Sequence, residues 1–149
     1  MLRRRWLRNA LMAMLAPGVV AGAVSAREHV RTWRVPVEGG GSYTNVNVAG
    51  LAAMLAEKDF MFVNVHVPYE GDIGGTDLSI PFDQIGASLA TLPSDRGAKV
   101  VLYCRSGRMS EIAARTLVKL GFRNLWNVDG GMVAWGEAGY PLVRARSTP

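Results

Sequence analysis

The chain of 149 residues has a single cysteine, Cys104, and the residues around it could activate its sulfur. Arg105 follows it directly and Arg108 lies three residues further on, so two permanent positive charges flank the thiol. Positive surroundings favour the thiolate, which is the nucleophilic form of cysteine. A structural, buried thiol is the alternative, but arginines are hard to bury and rarely line a core. We therefore predict that Cys104 is a nucleophile.

The segment after Cys104 is predicted to bind anions. It contains Gly107, which can adopt backbone conformations that other residues resist, and it leads into a helix predicted to begin at Ser110. A short loop that enters a helix points several backbone N–H groups inward, and such groups bind negative charge. Ser110 is also predicted to cap this helix. The predicted anion-binding residues are Arg105, Ser106, Gly107, Arg108, Met109 and Ser110.

The small number of soft ligands excludes several other kinds of site. One cysteine excludes an intramolecular disulfide framework, a Cys-x-x-Cys redox pair and a cysteine-rich zinc site. The two histidines, His29 and His66, leave little for a metal. We predict neither a metal nor a cofactor.

Strand-like and helix-like segments alternate along the chain, which predicts an α/β domain with a largely parallel sheet. The most apolar strand, residues 100–103, ends at Cys104, and ligand sites in such sheets gather at the carboxyl ends of strands. The clearest helix covers residues 110–120, and Asn47 is predicted to cap a helix over 48–57. Further strands are predicted at residues 28–37, 60–67, 78–80 and 125–128, and further helices at 83–92 and 132–138.

Two segments carry a family resemblance. Residues 101–110 resemble the active-site segment of rhodanese-like single-domain sulfurtransferases, and residues 127–135, with Gly130, Gly131 and Trp135, are similar to that family's closing helix. The likeness covers residues 43–142. It implies the rhodanese-like fold, a central mainly parallel sheet flanked by helices on both faces. It also implies a persulfide on Cys104, loaded by a small sulfur-containing anion such as thiosulfate and unloaded by a thiophilic acceptor. Trp135 itself is interpreted as core packing.

The sequence departs from the family pattern at the end of an upstream strand. Asn64 and His66 stand where the family usually has Asp-x-Arg, and residues 71–76 replace its usual Gly-His-Ile-Pro-Gly-Ala. Loss of an acidic residue beside a cationic loop would leave that loop more positive. His66 could act as a proton shuttle or bind the donor, or it could be a hydrogen-bonded structural histidine. We therefore treat Asn64 and His66 as accessory candidates in a divergent branch whose donor need not be thiosulfate.

Other function classes compete with the enzyme. The strongest is a persulfide carrier that passes sulfur between partners with little turnover of small molecules, and a sulfur-relay protein would then be a partner. A cysteine phosphatase would need His before the cysteine and Arg six residues after it, where this chain has Tyr103 and Ser110. A non-catalytic interaction module would not need the intact cysteine loop. An arsenate reductase would need a second, resolving cysteine.

The N-terminus predicts an exported protein. Residues 1–26 combine four arginines, an uncharged apolar stretch and a small-residue end, which is the layout of a signal peptide. Either the ordinary secretion route or the twin-arginine route would fit, and an uncleaved anchor or a cytoplasmic amphipathic helix are the alternatives. We divide the rest into an N-terminal strand and glycine-rich linker (27–42) and a rhodanese-like domain (43–149).

Removal of the predicted signal changes the meaning of the charge. The whole chain has 17 basic and 12 acidic residues, a net charge of +5 that would suggest nucleic acid. Four of these basic residues and none of the acidic ones lie in residues 1–26, so the remainder is nearly neutral. We therefore predict a periplasmic or otherwise exported protein with no nucleic-acid partner and no stable membrane insertion.

Overall fold

The computed structural model describes residues 29–144, and the predicted signal segment lies outside them. Strands and helices alternate within this part of the chain, as predicted. In chain order the elements are β1 (Thr32–Pro36), β2 (Ser42–Val46), α1 (Val48–Ala56), β3 (Met61–Asn64), β4 (Asp72–Ile73), β5 (Leu78–Ser79), β6 (Val100–Tyr103), α2 (Arg108–Lys119), β7 (Leu125–Val128), α3 (Gly131–Glu137) and β8 (Leu142–Val143).

The main sheet has six strands in the order β1-β2-β7-β6-β3-β5. All neighbouring pairs are parallel except β1 and β2, which are antiparallel at one edge. Strands β4 and β8 form a separate antiparallel pair. The central position of β6, with β3 and β7 on either side, places Cys104 at the carboxyl edge of a mainly parallel sheet. This confirms the predicted sheet.

Helices cover both faces of the sheet. Alternating residues of β3 separate the two cores, with Val63 in the cluster covered by α2 and Phe62 in the cluster covered by α1 and α3. Trp135 is buried in this second cluster, where it stacks on Tyr140 with ring centroids 4.2 Å apart. The interpretation of Trp135 as core packing is confirmed. Among the helices of residues 29–144, none is long and apolar enough to cross a membrane.

The glycine-rich segment after β1 is a hairpin turn, so the prediction of a linker there is wrong. Gly39, Gly40 and Gly41 have φ values of +90°, +111° and +80°, and Gly40 N–H donates to Val37 O at 3.0 Å. Consecutive left-handed residues reverse the chain tightly, and only glycine adopts them freely. The turn joins β1 to β2, so β1 belongs to the main sheet, as its edge strand.

Helix α1 confirms the predicted cap. The side-chain oxygen of Asn47 accepts a hydrogen bond from Gly50 N–H at 3.1 Å, as an N-cap should. The same oxygen accepts from Arg31 N–H at 2.9 Å, and the amide group of Asn47 donates to His29 O at 2.8 Å. Asn47 therefore also fastens the chain segment that precedes β1.

The helix predicted at residues 83–92 is absent; two short 3₁₀ turns, Ile85–Ala87 and Leu89–Thr91, take its place. Local hydroxyl groups give the physical reason. Ser88 Oγ donates to Gln84 O at 3.0 Å, and Thr91 Oγ1 donates to Ser88 O at 2.7 Å. Side chains of this kind offer the backbone an alternative to continuous helix.

Candidate active site

Cys104 is held at the junction between β6 and α2. Its side chain is 1% exposed, and its sulfur accepts a hydrogen bond from Gly107 N–H at 3.0 Å. Ser110 Oγ lies 3.5 Å from the same sulfur and donates to Gly107 O at 3.0 Å. Gly107 has φ +105°, a left-handed conformation that folds the loop back toward the sulfur. Cys104, Gly107 and Ser110, which were predicted to belong to one site, are therefore in contact in the structure.

The start of α2 differs from the prediction. The helix begins at Arg108 and not at Ser110, and Gly107 is its N-cap. Ser110 is not the cap, because it lies inside the first turn, where its hydroxyl donates to a carbonyl and does not accept from an N–H. On the buried face of α2, Ala113 and Ala114 are fully buried, whereas Ile112 and Leu120 are each 43% exposed. The small alanines let the helix pack closely on the sheet.

The other predicted anion-binding residues surround this first turn. Ser106, Arg105 and Arg108 are exposed, whereas the side chain of Met109 is partly buried against the core. Within α2 the first backbone bond of the helical type runs from Glu111 N–H to Gly107 O. The N–H groups before it are the ones that a helix N-terminus offers to an anion. Met109 can therefore contribute only through its backbone.

Helix α3 packs directly against the cysteine loop, which the sequence reasoning did not foresee. Met132 N–H donates to Cys104 O at 3.0 Å and Val133 N–H donates to Arg105 O at 2.9 Å. Gly131, with φ +54°, makes this approach possible because a Cβ there would overlap Cys104 O. The paired glycines 130 and 131 were the available sequence signal for a close backbone contact. The sequence does not show which loop makes that contact.

His66 lies beside the cysteine loop and forms a chain of polar contacts. Its Nε2 lies 2.8 Å from Glu70 Oε2, and the same carboxylate oxygen lies 3.7 Å from Arg105 Nε. The Nδ1 of His66 is buried without a hydrogen-bond partner among the residues that the structure describes. Sequence reasoning missed Glu70, because a spacing of four residues predicts a contact only within a helix, and residues 66 and 70 lie in a loop. Its carboxylate opposes part of the positive charge of Arg105.

Asn64 closes the loop that carries His66 and Glu70. Its side-chain oxygen accepts from His66 N–H at 3.0 Å, and its amide donates to Gly71 O and to Asp72 Oδ1, each at 2.9 Å. Asn64 is fully buried. The observed contacts of Asn64 are therefore with the loop backbone and with Asp72. The contact with Asp72 was not predicted from the sequence.

Comparison with known proteins identifies the family. The profile described as Rhodanese-like domain matches residues 51–138. The chain belongs to the rhodanese-like family. Within residues 29–144 of this rhodanese-like domain, no group of three or more potential metal ligands is present.

Relatives agree with this assignment. A sulfurtransferase of Allochromatium vinosum is 33% identical over 101 residues, which are 66% of this chain and 92% of the relative. The solved structure of a rhodanese-related protein from Thermoplasma volcanium has a TM-score of 0.58 and 30% identity, covering 68% of this chain and 98% of that one. Membership of this family, with a relative named a sulfurtransferase, supports a transferase that moves sulfur.

A third relative shows that the domain also occurs within longer proteins. A tRNA uridine(34) hydroxylase from Citrobacter koseri is 28% identical, over 65% of this chain but only 31% of the hydroxylase. The rhodanese-like domain thus spans about a third of that relative.

Tyr103 anchors the strand end that carries Cys104. Its buried hydroxyl accepts from Ile73 N–H at 3.0 Å and lies 2.7 Å from Thr76 Oγ1 and 3.2 Å from Asp72 Oδ1. Burial raises the pKa of the Tyr103 phenol, with Asp72 adding to the rise, so the hydroxyl stays neutral at physiological pH. This network was not predicted, since Tyr103 was assigned only to an apolar strand.

Replacing Tyr103 with phenylalanine is expected to lower the free energy of unfolding by about 1–3 kcal/mol, because the buried Ile73 N–H loses its acceptor. Urea denaturation of the purified protein measures this. Tyr69→Phe is the matched control: its hydroxyl donates to Asp72 Oδ2 at 2.7 Å, but the side chain is 45% exposed, so water can replace it. Equal losses in the two variants would contradict the assigned role.

Replacing Glu70 with glutamine is expected to lower the KM for an anionic donor such as thiosulfate by about two- to threefold, because the charge opposing Arg105 is removed. The effect should shrink at high salt. Glu57→Gln is the control, since Glu57 follows α1 at the opposite edge of the sheet. Steady-state kinetics at two ionic strengths measure the change, and a higher KM in Glu70→Gln would refute it.

Proposed function

We propose that this protein is a sulfurtransferase that moves sulfane sulfur through a persulfide on Cys104. One observation carries the proposal: the Cys104 sulfur accepts from Gly107 N–H at 3.0 Å, at the N-terminus of α2, in a loop with two exposed arginines, Arg105 and Arg108. A thiolate is stabilised by such donors and charges. The donor is a small sulfur-containing anion such as thiosulfate, and the acceptor is thiophilic.

In the first half of the reaction, the Cys104 thiolate attacks the outer sulfur of thiosulfate. A bond forms between the two sulfurs, the sulfur–sulfur bond of thiosulfate breaks, and its electron pair leaves with sulfite. Arg105 and Arg108 attract the anion, and the N–H groups from Ser106 to Ser110 stabilise the developing negative charge. The covalent intermediate divides one transfer into two easier steps.

In the second half, the acceptor attacks the outer sulfur of the persulfide. The bond to the Cys104 sulfur breaks, and its electron pair returns to Cys104 as thiolate. Gly107 N–H, which already donates to the Cys104 sulfur in the structure, stabilises this leaving group.

Intact mass spectrometry tests the proposal. Incubation with thiosulfate should add one sulfur atom to the protein, and peptide mapping should place it on Cys104, the chain's single cysteine. Cyanide should then remove the sulfur and release thiocyanate rapidly. No loading from thiosulfate or from any other sulfane donor would overturn the proposal.

The persulfide carrier is the second candidate. It is favoured by the burial of the Cys104 thiol, which is 1% exposed, since small molecules reach a buried sulfur poorly. The partner of such a carrier would be a sulfur-relay protein. Loading without thiocyanate release, in the same experiment, would select the carrier over the enzyme.

The proposal also places the protein outside the cytoplasm. It is supported by the signal-like layout of residues 1–26. The remainder is nearly neutral and has no large positive charge that would attract nucleic acid. N-terminal sequencing of protein from a periplasmic fraction should begin at Arg27. A mature protein that begins at Met1 and stays with the cytoplasm would refute export.

A further inference from the structure

A groove of about 340 Å³ runs along α3 next to the cysteine loop. We call it the α3 groove; it is lined by the charged residues Glu70, Arg105 and Glu137 and by Met132, Val133, Gly136 and Leu142. Two backbone hydrogen bonds fix α3 to the cysteine loop, from Met132 N–H to Cys104 O and from Val133 N–H to Arg105 O. A molecule in this groove would therefore lie against the loop that holds the sulfur.

The floor of the groove is open because of Gly136. A Cβ at Gly136 would meet no atom within 4 Å, and its backbone is helical. Val133 and Leu142, on either side, are each 42% exposed. The groove therefore presents apolar surface that nothing covers among residues 29–144, and it can accept an apolar stem.

The charges of the groove favour a cation at the end of α3. Arg105 is opposed by Glu70, whose Oε2 lies 3.7 Å from Arg105 Nε. Glu137 is exposed and forms no ion pair within the described part of the chain. The charge left without an opposing partner is thus the Glu137 carboxylate, four residues beyond Val133 along the helix. A dianion such as thiosulfate has no complement there.

We propose that the α3 groove binds the sulfur acceptor, and that this acceptor is an organic thiol with an apolar stem and a protonated amine. The proposal rests on the sulfurtransferase function above. The stem lies over Gly136 between Val133 and Leu142, and the amine pairs with Glu137. The inorganic donor uses Arg105 and Arg108 of the cysteine loop, so the two sites share Arg105, whereas Gly136 and Glu137 belong to the acceptor site alone.

The transfer step balances without an oxidant. The acceptor thiol loses its proton to solvent, and its sulfur forms a bond to the outer sulfur of the Cys104 persulfide. The bond between that outer sulfur and Cys104 breaks, and its electron pair returns to Cys104. The products are an organic persulfide and the Cys104 thiolate.

Aminoalkanethiols with two, three and four methylenes test the groove, with the persulfidated protein as sulfur source. We expect kcat/KM to rise about two- to fourfold for each added methylene, as burial of apolar surface predicts. In Gly136→Leu the new side chain fills the groove, so the rise should disappear, while incubation with thiosulfate should still add one sulfur atom to the protein. Gly74→Leu is the control, since a Cβ there also meets nothing within 4 Å.

The charged end is tested separately. Glu137→Gln should lower kcat/KM for the aminoalkanethiols about two- to fivefold and leave that for alkanethiols without a charge unaltered. Glu57→Gln should change neither. A flat chain-length series in the native protein, or a rise that survives in Gly136→Leu, would overturn the proposal.

A binding measurement separates this proposal from the sulfurtransferase function. Butylamine has the stem and the amine but no thiol, and it should shift the methyl NMR signal of Met132 in the native protein and not in Gly136→Leu. Such shifts in a protein that thiosulfate fails to load would refute the sulfur chemistry alone. Full loading without any shift would refute the groove alone.

Discussion

Serine in place of Cys104 is expected to lower the rate of thiocyanate formation from thiosulfate and cyanide by at least about 10³-fold, because a serine hydroxyl does not ionise at neutral pH and forms no persulfide. The fold should persist, since the serine oxygen can still accept from Gly107 N–H, which lies 3.0 Å from the native sulfur. The measurement is a steady-state thiocyanate assay, with the added mass of the protein recorded in parallel.

Unfolding by urea supplies the control for Cys104→Ser. Its transition should lie close to that of the native protein, so that lost activity reports on chemistry and not on folding. A serine variant that still produces thiocyanate at a native rate would refute the persulfide mechanism.

Gly131→Ala is expected to lower the free energy of unfolding by about 2–4 kcal/mol, because it combines overpacking with backbone strain. The residue has φ +54°, and a Cβ would lie 2.8 Å from Arg105 O as well as overlapping Cys104 O. Relief requires α3 and the cysteine loop to move apart, which would break the bond from Met132 N–H to Cys104 O. Sulfur transfer should therefore fall more than about tenfold.

Gly136→Ala gives a matched stability control within the same helix. A Cβ at Gly136 meets nothing within 4 Å, and alanine favours helix over glycine, so stability should be unchanged or higher by up to about 1 kcal/mol. Urea titrations of the two variants make the comparison. Equal stability of Gly131→Ala and Gly136→Ala would show that the close approach of α3 to the loop does not matter.

Local patterns predicted the parts of the structure that depend on near neighbours. The apolar run at residues 100–103 is β6, and Asn47 caps α1. Where local groups compete with the periodic pattern the prediction was wrong. Ser88 and Thr91 bond nearby carbonyls in place of a continuous helix, and the glycines after β1 form a turn and not a linker.

The sequence by itself determined the nucleophile candidate, the family and the sheet. A single cysteine followed by two arginines, after an apolar strand and before a helix, is recognised without knowledge of distant residues. Spacing within one loop is a local property, and local conformation follows from residue type. The sequence also shows that most of the excess of basic residues, which gives the whole chain a net charge of +5, lies in the first 26 residues.

Only the tertiary structure decided what surrounds that nucleophile. Glu70 meets Arg105, and Gly131 meets the backbone of Cys104, although each pair is more than 25 positions apart in the chain. Gly136 opens a groove whose other wall is Leu142 of β8, next to β4. These contacts arise where separate strands and helices end at one edge of the sheet, and sequence spacing does not encode which of those ends meet.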